Sequence, residues 1–269
     1  MASAQHKPTL RVLDILKTLS THNDKGLTLT EIATQIQVPK STIVPIIHTL
    51  FEQKFISQNK ENRYTIGINT LLVGATALQN FDILDLFKEE MRKIVNQTGE
   101  ICQLGILNEG DVLYLAKEES PEPIRLISFV GKRLPAYSTA LGKALLSDYT
   151  LSDLEKIYPD PLKAITANTC TSLEDLYQEC HSSKQQGYFE EKEEISPDLN
   201  CFAVPIFYKD KIVAALSVSI PTFRFTSEKS TLVISSLRTA KQHLEENITK
   251  LGIADSELFK NSFFSHVHE

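Results

Sequence analysis

Hydrophobic residues recur at intervals of three and four positions after Thr28, so that Ile32, Ala33 and Ile36 would share one face of a helix. Thr28 and Glu31 form a Thr-x-x-Glu pattern, in which the hydroxyl and the carboxylate each bind a backbone N–H at a helix N-terminus. The pattern predicts a short helix that begins near residue 29.

A second apolar stripe follows Pro39, which can occupy the first helical position because its missing N–H is not needed there. The stripe consists of Ile43, Ile46, Ile47, Leu50 and, at its margin, Phe51. The opposite face carries Ser41, Pro45, His48 and Glu52. Two short helices joined by a tight turn, the second with a polar and basic first turn, are typical of helix-turn-helix DNA recognition.

The same pattern also fits an ordinary helical hairpin whose outer face is only solvated. The residues that follow favour DNA binding, because short strand patterns at 55–56 and 64–67 flank the polar run from Ser57 to Arg63 and predict a wing. Upstream, an apolar pattern from Leu10 to Leu19 predicts a third helix. Three helices and a wing make a complete winged helix-turn-helix.

The pattern changes after Gly67. Residues 68–79 predict an apolar helix with few charges, which needs a partner surface, and residues 81–98 predict an amphipathic helix that ends at Gly99. Alternation with period two then predicts strands at 101–107, 112–116, 124–130, 201–208 and 212–220. Helices are predicted from Ser138 and at 152–157, 172–186 and 227–251, and an acidic loop at 190–194.

These elements predict an α+β fold with an N-terminal winged helix-turn-helix, a linker helix and a C-terminal antiparallel sheet with helices on its faces. The expected divisions are a DNA-binding domain at 6–67, a linker helix at 68–80, a second domain at 81–252 and a tail at 253–269.

The charge is unevenly distributed along the chain. Residues 1–67 contain eight Lys or Arg and five Asp or Glu, a net of +3, whereas the rest contains 20 and 29, a net of -9. A local positive charge suffices to meet phosphates, so the overall net charge of -6 does not exclude DNA as a partner. No apolar run reaches the roughly 18 to 20 residues of a membrane span, and we expect a cytoplasmic protein with no membrane partner.

Sequence motifs for catalysis, metals and cofactors are absent from the chain, and we expect none of the three. His266-x-His268 has a spacing that could hold a metal, but it lies in the predicted tail. Cys201 near acidic residues suggests a nucleophile, although no histidine neighbours it in sequence, and a buried strand cysteine is the simpler interpretation.

A binding pocket is a stronger hypothesis than a catalytic site. The helix that begins at Ser138 would present backbone N–H groups to a carboxylate. Ser217 and Ser219 alternate along an apolar strand, so both hydroxyls would point to one face. They would bind either a ligand or neighbouring backbone groups.

Short motifs along most of the chain resemble those of the IclR family of transcription regulators. The similar segments are Arg11 to Leu16, Leu29 to Ala33, Pro39 to Thr42, Tyr64 to Gly67, Leu134-Pro135, Ser138 to Lys143, Gly187-Tyr188, Glu193-Glu194, Cys201 and Pro205. The resemblance implies a homodimer, or a dimer of dimers, that holds two winged helices on double-stranded operator DNA. It also implies that the helix at 68–80 is the dimerisation element and that residues 81–252 form a GAF-like effector-binding domain that senses a small molecule.

The resemblance also implies an effector cavity lined by Ala140, Leu141, Glu191, Leu199, Cys201, Ser217 and Ser219. We expect Arg11, Thr30, Lys40, Ser41, Thr42, Val44, His48, Thr49 and Arg63 to face DNA.

Three positions depart from the family pattern. Pro45 stands where relatives commonly have Arg, and proline removes a hydrogen bond inside a helix, so the helix is expected to kink or to begin later. Glu191 replaces a common Asp, and Asp198 replaces a common Gly.

We therefore predict a DNA-binding transcription regulator, and a repressor rather than an activator, that is controlled by a small molecule. The resemblance implies that this effector is an organic acid or aromatic metabolite. It is not expected to be an enzyme. Two alternatives stay open: a small-molecule enzyme that uses Cys201 and Glu193, and a winged-helix interaction module that has lost DNA binding.

Overall fold

The computed structural model describes residues 6–22, 25–78, 82–121 and 128–251. Contacts divide the chain into two compact units, with the boundary between Asn80 and Phe81. The predicted tail and the His266-x-His268 pair lie outside the described residues. Within the described ranges, no helix is both long and apolar enough to cross a membrane.

The first unit is a winged helix-turn-helix followed by one more helix. Its elements are α1 (Lys7–Ser20), α2 (Leu29–Gln35), α3 (Lys40–Glu52), β1 (Ile56–Gln58), β2 (Tyr64–Ile66) and α4 (Ile68–Leu78). The wing strands are antiparallel, with Ile56 opposite Ile66. The core packs the predicted apolar stripes of the three helices against the wing and contains Ile15, Leu19, Leu27, Ile32, Ala33, Ile43, Ile47, Leu50 and Ile56.

Local chemistry sets the ends of α2 and α3. The predicted capping box is present, because the Thr28 hydroxyl accepts from the Glu31 N–H at 3.3 Å and Glu31 Oε2 accepts from the Thr28 N–H at 2.7 Å. Pro39 was expected in the first helical position, but its ψ of 141° is extended. Pro39 is therefore the N-cap, and α3 begins at Lys40.

Pro45 lies inside α3. The expectation that the helix begins after this residue is wrong, because α3 continues from Lys40 through Pro45 to Glu52. The ring nitrogen cannot donate to the Ser41 carbonyl, so one helical hydrogen bond is missing at an exposed position. Thr49 closes the next turn with a side-chain bond to the Pro45 carbonyl at 2.9 Å.

The second unit is a six-stranded antiparallel sheet covered by helices on both faces. Its strands are β3 (Ile101–Asn108), β4 (Asp111–Glu118), β5 (Arg133–Pro135), β6 (Phe189–Lys192), β7 (Leu199–Tyr208) and β8 (Lys211–Pro221), in the order β5-β4-β3-β8-β7-β6. Its helices are α5 (Asp82–Thr98), α6 (Ala140–Leu146), α7 (Leu151–Ile157), α8 (Leu173–Gln186) and α9 (Ser227–Leu251).

Successive side chains of the central strands enter two different cores, as the alternation of a strand requires. On β7, Phe202 and Val204 pack against α5 and α9, whereas Cys201 and Ala203 face α6 and α8. The second of these faces also receives Gln103 of β3 and Ser217 of β8, which are directly paired.

Three details differ from the sequence-based expectation. Residues 189–192 form a strand, where an acidic loop was predicted over 190–194, because Phe189 and Glu191 alternate inward while Lys192 is exposed. The strand predicted at 124–130 lies partly outside the described residues, and its described part, 128–130, is not a strand. The short strand β5 was not predicted.

Candidate functional site

The outer face of α3 is polar and open to solvent in the first unit. Lys40, Ser41, Val44, His48 and Thr49 are exposed, and the opposite face of the same helix is buried in the core. Thr42, also predicted to face DNA, is half-buried. The structure therefore brings the expected α3 residues together on one accessible surface, with their side chains free of the core.

His48 lies on this face one turn before Glu52. Its Nδ1 is 3.6 Å from Glu52 Oε2, and both side chains are well exposed. A pair this exposed contributes little to stability, so His48 can leave Glu52 for another partner at little energetic cost.

Arg63 of the wing is held by α2. Its guanidinium donates to both carboxylate oxygens of Glu31, from Nη1 at 2.9 Å and from Nη2 at 3.2 Å. Glu31 thus caps α2 and binds the wing at once. This hydrogen bonding, first of all to the Thr28 N–H, holds the pKa of Glu31 below its ordinary value.

Two predicted contacts lie on other helices of the unit. Thr30 is exposed in the first turn of α2, and Arg11 is half-buried on α1. The structure leaves Thr30 accessible, whereas Arg11 is only partly exposed.

The second unit contains a small cavity between α6 and the sheet. Its volume is about 30 Å³, enough for about two water molecules. The lining residues are Gln103, Tyr114, Ser128, Leu134, Thr139, Ala140, Leu141, Ile195, Leu199, Cys201, Ser217 and Ser219. Six of the seven predicted effector residues are among them, and Glu191 is not.

The polar side chains of this cavity form one hydrogen-bonded cluster. Ser217 and Ser219 donate to Gln103 Oε1 over 3.4 Å and 3.5 Å, distances at the long end for O–H···O bonds. The Gln103 amide donates to Ser128, and the Cys201 thiol lies 3.3 Å from the Ser219 hydroxyl. The two serine hydroxyls are therefore weakly bonded and able to turn towards a ligand.

Glu191 lies beside this cluster, opposite Cys201 on the neighbouring strand. Its Oε1 accepts the backbone N–H groups of Glu194 at 2.5 Å and of Ile195 at 3.2 Å. Its Oε2 is buried and has no hydrogen-bond partner within the described part of the chain. Burial raises the pKa of Glu191 to about 7, although the Cys201 thiol and the two N–H groups act in the opposite direction.

The residues that the enzyme hypothesis requires are not arranged for catalysis. Burial, and then the neighbouring Glu191, raise the pKa of Cys201 well above its ordinary value, so the thiol stays protonated and a weak nucleophile. Glu193 Oε1 instead accepts the backbone N–H of Asp198 at 3.0 Å. Asp198 has a φ of +61°, a conformation that favours glycine and that aspartate tolerates.

The helix wall of the cavity depends on a glycine. Thr139 is the N-cap of α6 and accepts from the Gly142 N–H at 3.0 Å. A Cβ at Gly142 would lie 2.0 Å from the carbonyl oxygen of Ala136. Because backbone atoms cannot yield that far, only glycine lets α6 pack against the turn that precedes it.

Sequence reasoning missed several lining residues, of which Gln103 is the most informative. It is a polar residue in an otherwise apolar strand, in register with Ser217. That combination was visible in the sequence, but the pairing of β3 with β8 was not. Ile195 and Ser128 lie on irregular segments, which carry no periodic signal.

Two family profiles match the chain: the bacterial transcriptional regulator IclR C-terminal family over residues 75–246, and the IclR helix-turn-helix domain over residues 8–60. The HTH-type transcriptional regulator KdgR of Escherichia coli (strain K12) is 33% identical over 238 residues, which cover 87% of this chain and 90% of KdgR.

Solved structures show the same fold. The crystal structure of an IclR transcriptional regulator from Alicyclobacillus acidocaldarius has a TM-score of 0.80 and 26% identity, covering 90% of this chain and 99% of the other. An IclR homolog from Microbacterium hydrocarbonoxydans, complexed with 4-hydroxybenzoate, has a TM-score of 0.75 and covers 90% and 99% of the two chains. At 21% identity, that likeness concerns the fold alone.

Proposed function

The chain belongs to the IclR family of bacterial transcription regulators, and from this premise we propose that it is a repressor whose operator binding is controlled by a small organic acid or aromatic metabolite. The single observation that carries the proposal is the exposed polar face of α3 on a winged helix-turn-helix core. Repression requires only that the bound protein occupies the promoter region.

In the proposed complex, the first turns of α3 enter the major groove. Lys40 binds a phosphate through its exposed ammonium group, and His48 faces base edges from the same side of the helix. Ser41, Thr42, Val44 and Thr49 complete the α3 contacts, while Thr30 and Arg11 bind the flanking phosphates. Arg63 contacts the DNA backbone from the wing, while Glu31 fixes the direction of the Arg63 side chain.

We assign the partner surface of α4 to a second copy of the chain. Ile68, Leu71 and Val73 are each at least 60% exposed, which is unusual for large aliphatic side chains on one short helix. Pairing two copies through these side chains would bury them and would present two winged helices to two half-sites, either in a dimer or in a dimer of dimers.

The proposed effector occupies the cavity and is bound by Ser217, Ser219 and Gln103, with Ala140, Leu141, Leu199 and Cys201 forming the rest of the wall. Within the part of the chain that the structure describes, no Lys or Arg lines the cavity, so neutral donors must hold an acid. Glu191 is compatible with an acidic ligand, because its raised pKa lets it become neutral beside a second carboxylate.

Control of DNA binding follows if the effector binds one arrangement of the dimer better than another. The effector then shifts the population away from the arrangement that fits the operator. Because a transcription regulator must reach the DNA that it binds, we place the protein in the cytoplasm.

The test is a titration of the full-length protein against the intergenic DNA upstream of its own gene, measured by fluorescence anisotropy. We expect binding much tighter than to a scrambled duplex of equal length, and release by at least one compound from a panel of short aliphatic acids, sugar acids and hydroxybenzoates. Equal affinity for both duplexes would refute sequence-specific binding and would favour an interaction module that has lost DNA recognition.

A further inference from the structure

The cavity of about 30 Å³ is much smaller than the sites of about 300 Å³ or more that typically bury a drug-sized small molecule. At least one wall must therefore move before the proposed effector can enter. The walls differ in how they are held: some by continuous backbone contacts and one mainly by bonds to side chains.

Two walls are fixed. The α6 wall is packed against the backbone of Ala136 at Gly142 and cannot shift independently of that turn. The sheet wall consists of strands β3, β7 and β8, and β8 pairs with β7 along its length and with β3 over residues 215–219. Moving either wall would break a continuous set of backbone contacts.

The rest of the lining comes partly from β4 and β5 and partly from residues 193–198, the connection between β6 and β7. This connection carries Ile195, whose side chain lines the cavity. Glu191 binds the connection through its bonds to the N–H groups of Glu194 and Ile195. Hydroxyl groups of Thr166 and Thr169 donate to its carbonyl oxygens, at 2.7 Å and 2.8 Å.

A buried ion pair joins the same connection to α6. Lys143 is 1% exposed, and its ammonium group contacts Glu194 of the connection and, at 2.6 Å, Glu179 of α8. Burial lowers the pKa of Lys143, but the carboxylates of Glu179 and Glu194 outweigh this effect and raise it, so the ammonium stays charged. Glu194 is 7% exposed, and without Lys143 its carboxylate would be left buried and unpaired.

We propose that Lys143 is a positioning residue of the effector cavity: through its ion pair with Glu194 it holds residues 193–198 closed, with Ile195 against the cavity. The ion pair joins this connection to α6. Opening the cavity requires the Glu194 carboxylate to leave Lys143, which keeps its second partner Glu179 on α8 and remains compensated.

The significance of this inference for effector entry rests on the proposed function, but its test needs neither DNA nor effector. Cys201 lines the cavity, and its thiol is shielded while the connection is closed. The alkylation rate of Cys201 by N-ethylmaleimide, followed by peptide mass spectrometry, therefore reports opening. Cys102 lies in the core on the opposite face of the sheet, and its rate reports unfolding of the whole unit.

We expect Lys143→Met to raise the alkylation rate of Cys201 at least tenfold while that of Cys102 stays within twofold of the parent value. Glu194→Gln is the milder variant, to be used if Lys143→Met does not fold, and should raise the Cys201 rate at least threefold. Lys143→Met with Glu194→Gln should be less reactive at Cys201 than Lys143→Met alone, because the unpaired carboxylate is gone.

Lys184→Met is the matched control, since it removes a lysine that binds Asp148 at 2.5 Å on the exposed side of α8. It should leave the Cys201 rate unchanged. An unchanged Cys201 rate in Lys143→Met would overturn the proposal, as would a parallel rise at Cys201 and Cys102. If the titration with upstream DNA fails while Cys201 responds as expected, the proposed function is wrong and the positioning role of Lys143 stands.

Discussion

The guanidinium of Arg63 donates two hydrogen bonds to the carboxylate of Glu31, of 2.9 Å and 3.2 Å, and so joins the wing to the N-terminus of α2. Glu31 is also the third helical residue, whose carboxylate completes the capping box with Thr28, the N-cap of that helix. The orientation of the wing and the start of the helix-turn-helix therefore depend on the same side chain.

Removing this contact should loosen the wing. For Arg63→Ala we expect a modest loss of local stability, because the pair is bidentate but partly exposed. Hydrogen exchange at the Tyr64 amide, which donates to the Leu27 carbonyl at 2.7 Å, should then accelerate about fivefold. Lys60→Ala removes a cation from the same wing and serves as the control; equal acceleration in both variants would contradict the assignment.

Lys40 and His48 should affect DNA binding in different ways. Lys40→Ala is expected to weaken binding to all duplexes alike and to reduce the salt dependence of the affinity by about one counterion. His48→Ala should change the preference among operator variants, because its contacts would be to bases. Gel-shift titrations at several salt concentrations measure both effects. Lys156→Ala removes an exposed lysine from the second unit and should change neither quantity.

Pro45→Ala should stabilise the first unit. The substitution restores an N–H that can bond to the Ser41 carbonyl, and the gain should be about 1 to 3 kcal/mol after the greater freedom of the unfolded chain is subtracted. Val44→Ala is the control at the adjacent exposed position. Chemical denaturation measures the difference in stability, and hydrogen exchange of the α3 amides locates it. Equal stability of both variants would mean that Pro45 does not destabilise the helix.

The serine pair should be needed for the response to effector. Ser217→Ala with Ser219→Ala is expected to abolish effector-induced release from DNA while leaving the thermal unfolding temperature within a few degrees of the parent. The control is Ser236→Ala, which removes a buried hydroxyl that donates to Gln97 at 2.9 Å on the other side of the sheet. A double variant that still releases DNA at the same effector concentration would exclude these serines from the site.

Glu191 should make the second unit less stable at alkaline pH. Burial raises its pKa in the folded state from 4.5 to about 7, so the folded protein binds the proton more tightly than the unfolded chain does. The resulting stabilisation is full below the unfolded pKa and is lost as the pH rises through the folded pKa.

The variant Glu191→Gln has no ionisable carboxyl group at this position. It should therefore become progressively more stable than the parent between about pH 4.5 and pH 7. The difference should reach about 1 to 3 kcal/mol at pH 8, from the free energy of one pKa unit. Urea denaturation across this range measures it, with Glu190→Gln on the same strand as the control. A constant difference at all pH values would show that Glu191 keeps an ordinary pKa.

The sequence predicted the first unit well because its signals are local. Thr28 and Glu31 define a helix start by their spacing alone, and the stripe of Ile43, Ile47 and Leu50 defines a buried face. Pro39 was placed one position too far into the helix, since a proline is accepted both at the N-cap and at the first helical residue.

The cavity was predicted less completely because it depends on pairing between distant strands. Ser217 and Ser219 were visible as alternating polar residues, but Gln103 joins them only through the β3 and β8 pairing. The strand at 189–192 was missed because Glu191 is a buried carboxylate, and four glutamates among residues 190–194 indicate an exposed loop. Burial of such a residue depends on hydrogen bonds from Glu194 and Ile195, which the sequence does not specify.

The alternation of β7 and β8 has a consequence for protein engineering. Odd-numbered positions such as Cys201 and Ser217 border the cavity, whereas even-numbered neighbours such as Phe202 and Leu216 pack under α5 and α9. A mutant library restricted to Cys201, Ser217 and Ser219 would change the cavity lining and leave the core beneath α5 and α9 unaltered. The response to a ligand and the stability of the unit could then be selected separately, although both depend on the same pair of strands.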